Sequence, residues 1–487
     1  MRPFSSLSLP LLAASLALFA PPVAAEPQRD DPPAEPDAQA TSDDADSHDG
    51  NDEPMDDGWG DDGWGDDGWG DEEGDDDWAD DDWADDGWEE DAWAETGGSP
   101  WTGFFELAYG QRWERDPAVG RYATLGEARW RIERSWQWTK DRIDLRTDLL
   151  GDAVVSDAEA ELRELFWSRA IGPTDLRVGR QVLTWGTGDL LFLNDLFPKG
   201  WQSFFIGRDD EYLKQPADAI RVTTYTDRVN VDLVAIPLFN PDEFLTGERL
   251  SFFFPPAGTI VAPDPPIAAD EPSTSLSNTE WAARLFRTVA GNEFALYGFS
   301  GFYHQPSPAG PGFTFLFPEL DALGASWRRP LGPGLFNAEF VRYWSAEDRS
   351  GTNFLIPNDQ ERYLLGYEWE AVANFTVGFQ AYVERTRDYD ELLANSPWPE
   401  FEPPENRWWL TNRLTWRTRQ DRVIWSLFTF WGVSEQDAYL RPQVSWRISD
   451  EWSLAAGGNW FTGDEDFTFF NQFQDNSNVY ARIRFSY

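Results

Sequence analysis

The 487-residue chain has no cysteine, three lysines, two histidines and two methionines. Without cysteine it can form no disulfide, thiolate nucleophile or zinc–thiolate centre. Of the imidazoles, His48 and His304, only His304 lies in the C-terminal body. Hydrolytic sites generally need a base of this kind beside a nucleophile, and the segment Tyr303-His304-Gln305-Pro306 supplies none. No enzyme activity, catalytic residue or cofactor is therefore expected. Lysine is confined to Lys140, Lys199 and Lys214, which leaves 36 arginines. Either GC-rich coding or selection for the guanidinium fork, which grips carboxylate and phosphate, accounts for that bias. Long apolar runs are missing too: beyond residue 25 nothing approaches the ~20 apolar residues of a membrane helix. Mean hydropathy is −0.55. That excludes a helical span but not a β-barrel, in which only alternate residues meet lipid.

Negative charge is abundant and uneven. Formal net charge is −48, and residues 26–100 carry 32 acids against one base, Arg29. Residues 101–487 carry 55 acids and 37 bases. Nothing here neutralises phosphate on the scale that nucleic acid requires, so nucleic acid is not an expected partner.

The N-terminus reads as an export signal. Arg2 precedes an apolar stretch from Leu7 to Ala20, and Val23-Ala24-Ala25 is a small-residue cleavage pattern, which gives a signal peptide over 1–25. Residues 26–98 form an acidic tail built on Asp-Asp-Gly-Trp-Gly, with Trp59, Trp64 and Trp69, then Trp78, Trp83, Trp88 and Trp93. A period of five fits neither helix nor strand, and dense like charge opposes compaction, so disorder is expected. Four readings of the tail stand: a docking strip whose Trp anchors seat on a basic periplasmic protein, a plug for an arginine-lined pore, loose Ca²⁺ binding, and repeat expansion without a role.

From residue 99 the texture changes to segments of about ten residues that alternate apolar with polar. In the last, Val479, Ala481, Ile483, Phe485 and Tyr487 share one face, with Tyr480, Arg482 and Arg484 on the other. Arg142, Asp144, Arg146 and Asp148 alternate with Ile143, Leu145, Thr147 and Leu149. Phe375, Val377, Phe379, Ala381 and Val383 likewise oppose Thr376, Gly378, Gln380 and Glu384. The body also holds 21 tryptophans, residues that collect in girdles at membrane interfaces. Together with the export signal, this pattern predicts an all-β, transmembrane, antiparallel up-and-down barrel over 99–487. About 18 strands are expected, with 16 as the runner-up, embedded in the lipids of the cell outer membrane. Short connections such as Gly172-Pro173, Asn374 and Ser449-Asp450 alternate with long ones, including 185–216 and 239–278. Short periplasmic turns and long outer loops are the rule for such barrels, and an even count places the N-terminal tail in the periplasm.

A barrel of this size leaves an aqueous interior unless something fills it. The expected filler is 185–216, apolar in its first half (Leu190-Leu191-Phe192-Leu193) and charged in its second. It should form a constriction through Trp185, Asp189, Arg208, Asp209, Asp210 and Glu211; the alternative is an outer loop packed on its neighbours. Asp209, Asp210 and Glu211 are hard ligands that suit Ca²⁺, but pairing with Arg208 and Lys214 or plain solvation competes, and no metal is expected. Strand phase nominates Arg129, Arg131, Arg142, Arg146, Arg177, Arg221, Arg413, Arg417, Arg482 and Arg484 as inward charges, opposed by Glu133, Asp144, Asp148, Asp232 and Glu368. These either guide an anionic solute or pair across strands and fill the wall.

The aromatic C-terminal strand resembles the terminal strand that the barrel-assembly machinery recognises. Gly179-Arg180-Gln181-Val182-Leu183-Thr184-Trp185-Gly186 resembles a motif of alginate-export-type and related porin-like outer-membrane barrels. That resemblance implies a similar strand number and a substrate carried through an arginine-rich lumen. The function expected is a channel or exporter for a polar or anionic solute, with a periplasmic docking tail. The other reading is a non-conducting scaffold barrel whose acidic Trp tail recruits a periplasmic, lipid-handling partner.

Overall fold

The computed structural model describes residues 100–487; the signal segment and the acidic tryptophan tail lie outside them. The strands in chain order are β1 Thr102–Arg112, β2 Ala123–Trp138, β3 Asp141–Asp152, β4 Asp157–Ile171, β5 Thr174–Val182, β6 Pro216–Thr224, β7 Asn230–Leu238, β8 Phe252–Phe254, β9 Thr259–Val261, β10 Ala269–Asp270, β11 Glu280–Val289, β12 Asn292–Phe302, β13 Phe315–Leu316, β14 Glu319–Leu331, β15 Gly334–Ser345, β16 Gln360–Val372, β17 Phe375–Thr386, β18 Asn406–Thr418, β19 Val423–Gly432, β20 Asp437–Arg447, β21 Trp452–Gly463 and β22 Asn478–Ser486. Two short helices, α1 Trp201–Ile206 and α2 Tyr389–Asn395, lie in connections. Strands β8, β9, β10 and β13 form two small ladders in the connections. The other 18 make one antiparallel sheet in which each pairs with its neighbour in sequence, and β1 pairs with β22 from Phe104↔Ser486 to Arg112↔Asn478. The sheet is closed, so no edge strand is left to pair elsewhere.

Alternation in the sequence becomes the two faces of the wall. On β1, Phe105, Leu107 and Tyr109 are exposed while Phe104, Glu106 and Ala108 are buried. On β22, Ile483 is exposed while Tyr480 and Arg482 are buried. An outward face of exposed apolar side chains, with charged side chains such as Glu106 and Arg482 turned inward, is the pattern of a transmembrane barrel. Tryptophan and tyrosine decorate the outward face: Trp130 Nε1 donates to the Tyr487 hydroxyl at 2.8 Å, which fastens the terminal residue to β2 across the closure. Tight turns close the hairpins on one side of the barrel. Ala290 and Gly291 both take positive φ between β11 and β12, the geometry of a two-residue turn matched to strand twist. On the other side the connections 183–215 and 239–279 are long, while 153–156 and 433–436 are as brief as turns.

Candidate functional site

The connection 183–215, which joins β5 to β6, folds inward and crosses the barrel. Its first half is apolar, and Leu191, Leu193 and Phe197 are buried among wall residues of β12, β14, β15 and β16. The Trp185 ring lies 5.0 Å from Phe197 and 6.0 Å from Tyr297 on β12, and its Nε1 donates to Asp232 on β7 at 3.2 Å. Polar anchors fix this half to one side of the wall. Glu339 on β15 accepts from the Thr187 hydroxyl at 2.9 Å and from Asn194 Nδ2 at 2.6 Å. Tyr343 on the same strand donates to the Leu193 carbonyl at 2.6 Å. Gln380 on β17 exchanges two hydrogen bonds with the Asp189 backbone, at 2.7 and 2.8 Å. Gly324 on β14 leaves the room that Asn194 occupies; a Cβ there would collide with its side-chain oxygen.

The middle is α1, whose Phe204 and Phe205 enter an aromatic cluster with Tyr439, Phe461 and Phe473. Gly207 ends the helix at φ +87°, and a Cβ at this position would run into the Tyr480 ring of β22. Glycine is thus required twice over, for the left-handed backbone and for the close approach.

The charged half follows and meets the opposite side of the wall. Its three consecutive acids go to three different strands. Asp209 accepts from Arg482 of β22 at 2.6 Å and from Arg484 at 3.3 Å. Asp210 takes a bidentate pair from Arg441 of β20, one contact being 3.0 Å. Glu211 accepts from Arg131 of β2 at 2.7 Å. Asp189, from the first half, accepts from Arg413 of β18 through both oxygens at 2.7 and 2.8 Å. Arg208 reaches Glu127 of β2 at 2.7 Å and Glu243 of the next long connection at 3.1 Å. Such charge-assisted, partly bidentate bonds carry the geometric specificity of the fork. Counted around the closed sheet, β2 and β15 are nine strands apart in 18. Glu211 and Glu339 therefore tie the insert to diametrically opposite walls.

Tyr212 is the centre of the charged half. Its hydroxyl donates to Asp148 of β3 at 3.0 Å and accepts from Arg131 at 2.7 Å. The Arg129, Arg163 and Arg131 guanidinium carbons stand 4.0, 5.0 and 5.4 Å from its ring centroid, so cation–π attraction adds to the hydrogen bonds. Asp148 also binds Arg129 and Arg131, each at 2.6 Å.

The inward charges sort by depth. Along β3 the side chain of Asp148, at the level of the insert, is 0% exposed, Arg146 is 35% exposed and Arg142, near the tight turn, is 56% exposed. Exposure along this strand thus rises from the level of the insert toward the tight-turn end. Arg146 pairs there with Glu133 at 3.0 Å, and Arg142 with Asp144 at 2.7 Å. Arg417 is exposed near the 419–422 turn, and Arg177 stands 5.7 Å from the Phe166 ring. Arg221 pairs with Asp232 at 2.9 Å. Glu368 lies on β16 opposite Gly378 of β17. Trp59, Trp64, Trp69, Trp78, Trp83, Trp88 and Trp93 lie outside the described residues.

Several partners were not singled out in the sequence. Arg441 sits in the inward phase with Tyr439, so strand phase carried a signal for it. Arg163 was hidden: the β3–β4 register shifts where Arg146 faces Glu164 and Thr147 faces Leu162, which leaves Arg163 as the extra residue of a bulge. Strict alternation puts it outward with Leu165. The bulge turns it inward instead, where its guanidinium donates to the Glu211 and Lys214 carbonyls at 3.1 and 2.9 Å. His304, just after β12, is buried with Nε2 3.3 Å from Glu280 and Nδ1 4.0 Å from Asp242. Among the described residues no group of three or more histidines or acids is placed to hold a metal.

The motif at 179–186 has a local explanation. Gly179 takes φ +133° where a Cβ would strike the Leu165 carbonyl beside the bulge. Gln181 is buried and donates to the Gly179 and Ala219 carbonyls at 3.3 and 3.2 Å. The motif thus directs β5 past the bulge and launches the insert at Trp185.

No protein-family model and no curated protein sequence matches the chain. Among solved structures it is similar to Acinetobacter baumannii OccAB3, at 9% identity over 80% of this chain and 98% of that one, with a TM-score of 0.48. Pseudomonas aeruginosa OccK5 (OpdH) is similar at 10% identity over 80% and 96%, with a TM-score of 0.47. Wzi of Escherichia coli, an outer membrane protein described as a carbohydrate-binding β-barrel, is similar at 11% identity over 80% and 85%, with a TM-score of 0.44.

Proposed function

We propose that this protein is an outer-membrane channel for a small polar or anionic solute, with its passage set by the insert 183–215. One observation carries the reading. The apolar half of the insert seals one side of the interior, whereas the carboxylates of the charged half stay in contact with water; the Asp209 and Asp210 side chains are 33% and 34% exposed. The water-accessible side at this level is bounded by paired charges of both signs, Asp209, Asp210, Glu211 and Arg484 among them. Below it lies the vestibule of Arg142, Arg146, Arg177 and Arg417. Rings of fixed charge select permeant ions by sign and field, and pairing makes the narrowest level nearly neutral overall. The resemblance at 179–186 to alginate-export-type barrels accords with transport. In this reading the barrel sits in the cell outer membrane, reaches it through the assembly machinery acting on the terminal strand, and keeps the acidic tail in the periplasm to dock a basic partner.

Reversal potentials of the purified barrel in planar bilayers under a salt gradient test the proposal. Ion-selective conductance supports it; a barrel that never conducts, with or without the insert, removes it.

A second reading, a non-conducting scaffold that recruits a periplasmic partner through its tail, draws support from the double anchoring of the insert to opposite walls. It requires that conductance stay absent and that deletion of 56–95 abolish function.

A further inference from the structure

The outward wall between β11 and β16 departs from the convex surface expected of a barrel. A cavity of about 620 Å³ opens on it, within the range of small-ligand sites. Its origin is visible in the register. On one rung Ala325 stands between Leu296 and Phe340; on the next, Ala338 stands between Trp327 and Leu365. Two alanines at adjacent positions make a floor, and the large side chains around them make walls. At the tight-turn end of this hollow Arg287 faces Phe294, whose ring stacks on Trp327 at 6.3 Å and 5°.

Arg287 is the unusual element. It shares the outward phase of β11 with the exposed Trp281 and Leu285, three residues before the tight turn at Ala290-Gly291. It is exposed, and among the described residues no hydrogen bond or ion pair engages its guanidinium. A cation on a lipid-facing wall is costly unless it reaches the interface and finds an anion. The level fits that requirement, because the aromatic girdle here includes Trp327. Guanidinium and phosphate are matched in charge and in hydrogen-bond geometry.

We propose that this hollow seats one glycerophospholipid, with an acyl chain over Ala325 and Ala338 and its phosphate on Arg287. The occupant is a phospholipid rather than a second barrel: the feature is a concave strip ending in one unpaired cation, not a flat self-complementary face. The seat is independent of what the interior conducts.

The test is native mass spectrometry of the full chain, delipidated in detergent and then titrated with phosphatidylglycerol. The wild-type barrel is expected to hold one lipid through detergent exchange. Arg287→Gln removes the phosphate partner and Ala338→Phe fills the floor; each should lower the singly bound population about tenfold, the scale of one charge-assisted contact. Ala128→Phe, on the outward face of β2, serves as the control and should bind like the wild type. Arg287→Gln changes an exposed side chain with no partner, so its result does not depend on a repacked wall. Equal retention by all four proteins overturns the proposal, as does a wild-type barrel that holds no phosphatidylglycerol or only lipid A.

Discussion

The Tyr212 hydroxyl donates to Asp148 at 3.0 Å, joining the inserted segment to a carboxylate buried in the wall of β3. The same oxygen accepts from Arg131 at 2.7 Å. Tyr212→Phe removes one hydrogen bond from each of these two buried charged groups, a loss of about 1–3 kcal/mol. A lower Tm with unchanged conductance is the expected result. Tyr212→Ala also removes the ring on which Arg129 stacks, and it should add large, fluctuating single-channel openings. Quiet traces identical to the wild type would show that Tyr212 does not hold the insert.

The acidic row predicts selectivity. Asp209→Asn, Asp210→Asn and Glu211→Gln combined take one carboxylate partner from each of Arg482, Arg441 and Arg131. The field at the narrowest level becomes positive, and the reversal potential should move toward anions. An unmoved reversal potential would mean that permeant ions do not pass these residues.

Two loop sites predict opposite pH dependences. Burial raises the Asp209, Asp210 and Glu211 carboxyls, but the facing arginines outweigh it and hold all three below the usual carboxylate range. Their contribution to stability is complete above the unfolded pKa of about 4 and is lost as pH falls through the lower folded values. For His304, burial lowers the pKa, but Glu280 and then Asp242 outweigh it and raise the imidazole above its ordinary value. That contribution is complete below about pH 6.5 and is lost as pH rises through the folded value. Protease nicking of the 303–318 connection should therefore increase on the alkaline side, and His304→Gln should flatten this limb while leaving the acid limb unchanged. A His304→Gln profile that overlays the wild type would remove the ion pair from the account.

Gly207→Ala puts a methyl against the Tyr480 ring and forces an unfavourable backbone angle. Overpacking of this kind costs about 1–3 kcal/mol. The wall does not depend on Gly207, so heat-modifiable gel migration should survive while Tm falls and the insert becomes protease-sensitive. Equal protease resistance would place the insert elsewhere.

The wall was legible in the sequence because a barrel strand writes its two faces into alternate residues. About 18 strands were expected and 18 close the sheet. The β2–β3 turn falls at Thr139-Lys140, because Trp136 and Trp138 extend the outward phase of β2. Composition also marked 185–216 as unlike an outer loop, since four consecutive apolar residues need a dry surface. The partners of its acids were less legible. Arg441 followed from phase, but Arg163 could not, because a bulge breaks the alternation on which phase depends. Glu339 and Gln380 are ordinary inward residues until the insert arrives, and no local pattern announces a contact some 150 or 190 residues away.

The most direct test of the account replaces 187–213 with a short Gly-Ser linker and records single-channel conductance of the purified barrel in planar bilayers, with heat-modifiable migration as the check of folding. If the insert sets the passage, conductance rises several-fold and selectivity shifts toward that of the arginine-lined vestibule. Conductance and selectivity equal to the wild type in a folded barrel would contradict the account.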